Sequence, residues 1–217
     1  MSEGQPSSHV CVTDHNAKVR EKVGEMLFEY KGGSFFQNNN SVLEPLTNHV
    51  RDAIFASSTP THLVDAYCGC GLFAITLSRQ FSTIAGIELS SDSIKFATHN
   101  AQLNDIPEGK CTFRAGDAAD IFSTVKDFPR ERTALVIDPP RKGCDDHFIE
   151  QMLAFGCQTV VYVSCNVHTQ ARDVGKIVNG RTADEKSKYV LESLRGIDLF
   201  PQTAHVESVA VLRLVDI

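Results

Sequence analysis

The chain has 217 residues, 42% hydrophobic and 22% charged, enough for one large or two small domains with a proper core. Its formal net charge of −6 and pI near 5.7 exclude a domain that grips nucleic acid by bulk electrostatics, while leaving room for a local basic rim or a separate domain that supplies the grip. No apolar run reaches about 18 residues, which excludes a transmembrane helix.

In chain order, MSEGQPSSH lacks the charged-then-apolar order of a signal peptide and reads as a loose tail. MLFEYKGGSFFQ, from Met26, predicts two short strands joined by a Gly-Gly turn. Ser41 and Glu44 stand at capping-box spacing, and Leu43, Leu46, Val50 and Ile54 recur at helical period behind them, which predicts a helix. From Thr61 the pattern becomes regular. THLVDAY, TIAGIEL, KCTFRAGD, TALVIDPP and QTVVYVSCN are short apolar runs, with helical stretches such as SSDSIKFATHNAQLN, DDHFIEQMLAFG and VHTQARDVGKIVNG between or after them. Alternation of this kind predicts an α/β fold, a Rossmann-like sheet of five parallel strands covered on both faces. KYVLESLRGIDLF and HVESVAVLRLVDI have no helix between them and predict an antiparallel pair at one edge. The expected organisation is a tail with a short strand extension over 1–34 and one undivided domain over 35–217.

Ligands of an open parallel sheet bind outside the carboxyl ends of its strands. Those ends read Asp65, Glu88, Asp117, Asp138 and Cys165, an acid at four successive tips and then a thiol. GCGLFA, with Gly69 and Gly71, opens a helix after the first run, and Glu88 follows at the next tip. That is the dinucleotide fingerprint, so NAD is a competing cofactor. Asp65 sits just before the glycines, where a pyrophosphate would be repelled. S-adenosylmethionine (SAM) has no phosphate and carries an amino group and a sulfonium, so the acids favour SAM.

Asp138 opens DPPRKGCD, whose prolines stiffen the strand exit and whose Arg141 and Lys142 offer positive charge for a phosphate or a nearby thiol. Cys165 is one strand further on. A lone Cys at a strand end is ordinarily a packing residue, but its place beside this pocket makes it a candidate nucleophile. Glu207, or His205, in HVES is the candidate proton acceptor. The other cysteines, Cys11, Cys68, Cys70, Cys111, Cys144 and Cys157, contain no CxxC pair, so no zinc site or disulfide framework is signalled. Reduced thiols fit an intracellular protein, cytoplasmic by default.

FFQNN, DAYCGCGLF, GIELS, DPPRKG, VSCN and HVES together resemble the SAM-dependent RNA uracil-5-methyltransferases, and within them the tRNA (m5U) methyltransferases of fungi. The likeness runs in order over about residues 35–217. It implies SAM as cofactor and tRNA as substrate. It also implies Cys165 as nucleophile, Glu207 as proton acceptor, and Gln37, Tyr67, Glu88 and Asp138 as SAM contacts, with Asp65 and Asp117 shaping the same pocket. Arg141 is expected to face the substrate and to favour the thiolate.

The chain departs from the family at Val167, where many members have Pro, and at Leu72, often Asn in bacterial relatives. Full-length members carry RNA-binding regions ahead of the catalytic domain, where this chain has about 34 residues, so a catalytic fragment or minimal form is expected. The chemistry explains the residue types: carbon 5 of uracil is a weak nucleophile until a thiolate adds at carbon 6. Two alternatives stand beside this reading. An adenine amino-methyltransferase would use an Asp-Pro-Pro-aromatic loop, where this chain has Arg141, and would need no cysteine. A catalytically silent SAM-binding subunit would need neither Cys165 nor Glu207.

Overall fold

The computed structural model describes residues 13–183 and 185–217, so the expected tail and Cys11 lie outside the described residues. A hairpin of β1 (Lys18–Val23) and β2 (Met26–Lys31) precedes helix α1 (Asn40–Phe55). Then follow β3 (His62–Ala66), α2 (Leu72–Thr76), β4 (Thr83–Glu88), α3 (Ser91–Leu103), β5 (Cys111–Ala115) and α4 (Ile121–Thr124). The chain continues through β6 (Thr133–Ile137), α5 (Asp146–Phe155), β7 (Thr159–Ser164), α6 (Val167–Asn179), β8 (Ser187–Ile197) and β9 (Glu207–Asp216).

The main sheet has the order β5-β4-β3-β6-β7-β9-β8. Its first five strands are parallel, and β9 runs antiparallel to both β7 and β8. Five parallel strands with an antiparallel pair at one edge is the expected sheet. The last strand of the chain inserts between β7 and β8, a placement that decides the geometry of the site below.

Successive residues of a strand face opposite sides, and both sides here are apolar. Leu63, Ile84, Val136, Val161 and Val209 join Leu43, Leu46, Val50 and Ile54 of α1 and Phe73 of α2 in one core. Val64, Ile87, Ile137, Tyr162 and Leu212 join Phe122 of α4, Phe148 and Met152 of α5 and Ile177 of α6 in the other. Burying one such side chain is worth roughly 1.5–3 kcal/mol, so α1 alone, with its apolar stripe wholly buried, is a large part of the first core.

The hairpin differs from the expectation. Val23 pairs with Met26, so the turn is Gly24-Glu25, with Gly24 at φ +55, and MLFEYK is a single strand. A two-residue loop that starts with positive φ suits glycine. Gly32 and Gly33 do not join strands. Their amides donate to the carbonyls of Ala17 and His15 at 2.8 Å, folding the chain back on the entry to β1. Helix α1 also starts earlier than the Ser41 capping box implied. Asn39 is its N-cap, and the Ser41 hydroxyl bonds to Asn39 Oδ1 at 2.7 Å.

The hairpin is held to the domain by two asparagines one turn apart, Asn100 in the last turn of α3 and Asn104 at its C-cap. Asn100 accepts from the Glu29 amide at 2.8 Å and donates to the Glu29 carbonyl at 3.0 Å. Asn104 does the same with Leu27, at 2.8 and 2.7 Å. Each side-chain amide therefore stands in for a neighbouring strand along the free edge of β2. Asn100 also donates to the Cys70 carbonyl at 3.1 Å, tying the hairpin to the glycine loop. Among the described residues, no helix is long and apolar enough to cross a membrane.

Candidate active site

The carboxyl ends of the parallel strands open into a cavity of about 790 Å³. The glycine loop after β3 forms its floor. Gly69 and Gly71 adopt φ +52 and +91, and a Cβ on Gly69 would meet nothing within 4 Å, whereas one on Gly71 would meet Ile75 Cδ1 at 2.8 Å. Gly71 is thus required by packing, and Gly69 leaves open space above the loop. Tyr67, at φ +64, is held in the left-handed region, which costs a residue with a Cβ about 1–2 kcal/mol. Its ring lies on Phe148 at 5.4 Å and lines the cavity.

Glu88, the last residue of β4, accepts from the Gly69 amide at 3.3 Å and the Ser90 amide at 2.9 Å, which aims its carboxylate at the glycine loop. Asp117 follows β5, caps the next turn through the Ala119 amide at 3.0 Å, and borders the cavity. Asp138 follows β6 and is half-buried. Burial raises its carboxyl to about 7, with a hydrogen bond from Gln37 pulling the other way. The Gln37 Oε1 is buried without a partner, an acceptor left over for a ligand. Phe35 and Leu89 are exposed, and both line the cavity.

Asp65 stands elsewhere. It lies within β3 rather than at its tip, is fully buried, and accepts from the Ala74 amide at 2.8 Å, fixing the first turn of α2 from beneath. Burial pushes its carboxyl up to about 8, so it is largely neutral at pH 7. The repulsion of a pyrophosphate that the sequence assigned to Asp65 therefore falls to Glu88 and Asp117, which face the cavity.

Cys165 follows β7 and is on the cavity wall with Asp138 and Arg141. The antiparallel register pairs Ser164 with Ser208, so one step further Cys165 stands opposite Glu207, the first residue of β9. Glu207 is fully buried, and neither carboxylate oxygen has a partner. Burial, and then the Asp138 charge, push it up to about 8. Burial and the facing Glu207 also raise the Cys165 thiol, and Asp138 adds to this. The Arg141 guanidinium, hydrogen-bonded to the thiol, pulls it down. His205 is exposed, its ring against Phe200 at 6.1 Å, so Glu207 is the carboxylate that faces the thiol.

Leu72 is buried at the start of α2, and Val167 begins α6 behind its N-cap Asn166. Neither displaces the thiol. Cys68 and Cys70 are buried in the loop, and among the described residues no group of three or more His, Cys, Asp or Glu could hold a metal ion.

The sheet order and the cavity at its carboxyl edge define the Rossmann-like fold of class I methyltransferases. The chain belongs to the tRNA (uracil-5-)-methyltransferase family, whose model matches residues 9–215. It is 44% identical over 221 aligned residues to the tRNA (uracil(54)-C(5))-methyltransferase of Schizosaccharomyces pombe, covering 99% of this chain and 41% of that one. It is 42% identical to the enzyme of the same name from Saccharomyces cerevisiae, covering 94% of this chain and 32% of that one. Among solved structures, the Pyrococcus abyssi tRNA (uracil-54, C5)-methyltransferase in complex with S-adenosyl-L-homocysteine superposes with a TM-score of 0.74 at 28% identity, covering 90% of this chain and 43% of that one. The chain thus spans less than half the length of these relatives.

Proposed function

We propose that this chain is the catalytic domain of a SAM-dependent methyltransferase acting on carbon 5 of a uridine in tRNA, the uridine at position 54. The observation that carries the reading is the pair at the cavity wall: a thiol opposite a buried carboxylate whose oxygens have no other partner. Names of relatives and the S-adenosyl-L-homocysteine held by the Pyrococcus protein support the substrate and the cofactor.

The cavity fits SAM on its own residues. Glu88 supplies carboxylate oxygens beside the loop for ribose hydroxyls, and Gln37 Oε1 is a free acceptor for an amino group. Asp138 and Asp117 place negative charge where a cationic ligand is favoured, and Gly69 leaves the space open. When bound, SAM supplies an electrophilic methyl group for carbon 5.

The chain's own groups do the rest. The Cys165 thiolate adds to carbon 6 of the uracil, and the electron pair of the ring double bond becomes available at carbon 5. After methylation, Glu207 takes the carbon 5 proton, the carbon–sulfur bond breaks, and the double bond and the thiolate are restored. Arg141 favours the thiolate by its charge and hydrogen bond. The base must leave its stack to reach the cavity.

The test uses tRNA carrying uridine tritiated at carbon 5, incubated with SAM and the protein. Release of tritium to water that is abolished in Cys165→Ala and slowed in Glu207→Gln is the expected result. Release by Cys165→Ala at the wild-type rate would overturn the reading.

A further inference from the structure

Arg141 lies in a turn, residues 141–144, whose backbone is bonded to the start of α6. The N-cap and first two turns of α6 bond to the carbonyls of Arg141, Lys142 and Cys144 and to the amide of Cys144. The Asn166 side chain donates to the Arg141 carbonyl at 2.9 Å, and the Thr169 hydroxyl to the same atom at 3.1 Å. Arg172 donates to the carbonyls of Lys142 and Cys144 at 2.8 and 3.3 Å. Asp173 accepts from the Cys144 amide at 2.8 Å, and also from the Tyr162 hydroxyl and the Arg172 Nε, each at 2.8 Å.

Asp173 is at the centre of this arrangement. It is fully buried, a carboxylate placed in the core where water cannot satisfy it, so its bonds to the turn are short of alternatives. Gly143 is shaped around it: at φ +78, a Cβ there would sit 2.4 Å from Asp173 Oδ2. The glycine of DPPRKG is thus the residue that lets the turn lie against the carboxylate.

We propose that Asp173 is a positioning residue, which holds the Arg141 guanidinium against the Cys165 thiol through the 141–144 turn. It touches neither substrate nor thiol. This rests on the reading of Cys165 and Arg141 above. The groups that face the thiol are Glu207 and Asp138, which oppose its ionisation, and Arg141, which favours it. Displacing Arg141 leaves the two carboxyl groups unopposed.

The experiment is the pH profile of Cys165 alkylation by iodoacetamide, read on the Cys165 peptide by mass spectrometry. Wild type, Arg141→Ala, Asp173→Asn, the double variant and Tyr162→Phe are compared. Asp173→Asn is expected to shift the profile to higher pH, as Arg141→Ala does, with no further shift in the double variant. Tyr162→Phe takes a bond from Asp173 and one from the Cys144 thiol but none from the backbone of the turn, and is expected to leave the profile in place.

An Asp173→Asn profile that coincides with wild type while Arg141→Ala is shifted would overturn the inference alone. Additive shifts in the double variant, or a Tyr162→Phe shift equal to that of Asp173→Asn, would do the same. An unshifted Arg141→Ala would remove the underlying role of Arg141 and the inference with it. Should Asp173→Asn fail to fold, Arg172→Gln removes the bonds to Lys142 and Cys144 from a half-exposed position and carries the same comparison.

Discussion

The side-chain amide of Gln170 donates to the carbonyl of Ser208 at 3.0 Å, and the same nitrogen donates to the carbonyl of Tyr162 at 2.8 Å. These carbonyls belong to neighbouring antiparallel strands, Tyr162 three residues before Cys165 and Ser208 next to Glu207. One buried amide therefore pins the two strands that present Cys165 and Glu207. Gln170→Leu leaves two buried carbonyls without that donor and is expected to cost about 2 kcal/mol. Urea unfolding measures the loss, and the tritium-release rate is expected to fall further than the loss of folded protein accounts for.

Glu207 predicts a pH dependence of stability. Its carboxyl is raised from 4.5 to about 8, so the folded state holds a proton that the unfolded state gives up. Its contribution is fully present below pH 4.5 and is lost as pH rises toward 8. Glu207→Gln removes this loss. Between pH 5 and pH 8, wild type is expected to lose stability relative to the variant by up to about 1.4 kcal/mol per pH unit. Urea titrations at several pH values read the difference directly.

The same carboxyl must be ionised to accept a proton, so the proton-removal step in wild type is expected to accelerate as pH rises through about 8. Single-turnover tritium release across that range checks it. A rate independent of pH would separate Glu207 from the step.

Asn100 and Asn104 make the same pair of bonds to β2, but only Asn100 also holds the Cys70 carbonyl. Alanine at either position is expected to destabilise the protein by about 2 kcal/mol. Only Asn100→Ala is expected to weaken SAM binding as well, measured by thermal-shift titration against the variant's own ligand-free midpoint.

The two loop glycines separate stability from binding in the same way. Gly71→Ala puts a Cβ 2.8 Å from Ile75 at φ +91 and is expected to lower the melting temperature. Gly69→Ala meets no atom within 4 Å, so it is expected to cost only the backbone strain of about 1–2 kcal/mol and to reduce SAM affinity instead.

The succession of strands and helices along the chain and the glycine loop were legible because both are local. An apolar run, its terminal acid and the helix behind it occupy one stretch of chain. Glu88, Asp138 and Cys165 were therefore read at the cavity edge from their positions alone. Asp65 was misread because an acid near the end of an apolar run looks the same whether it is the last residue or the last but one, and only the sheet shows it inside β3. Gly32-Gly33 looked like a turn because paired glycines are a strong turn signal, yet Gly24 was the glycine the two-residue loop needed. What no local pattern carries is the insertion of β9 beside β7, and with it the opposition of Cys165 and Glu207. The strand-like use of Asn100 and Asn104, and the grip of Asp173 on the Arg141 turn, are likewise contacts between distant parts of the chain.

The most direct measurement is a covalent trap. The protein is incubated with SAM and a T-arm RNA carrying 5-fluorouridine at position 54, and the mixture is read by intact mass. Fluorine at carbon 5 cannot leave as a proton does, so elimination of the thiol is blocked after methyl transfer. The account predicts a species with the mass of protein, RNA and one methyl group, absent in Cys165→Ala. Methylation of the ordinary uridine RNA without any such species, or its persistence in Cys165→Ala, would contradict it.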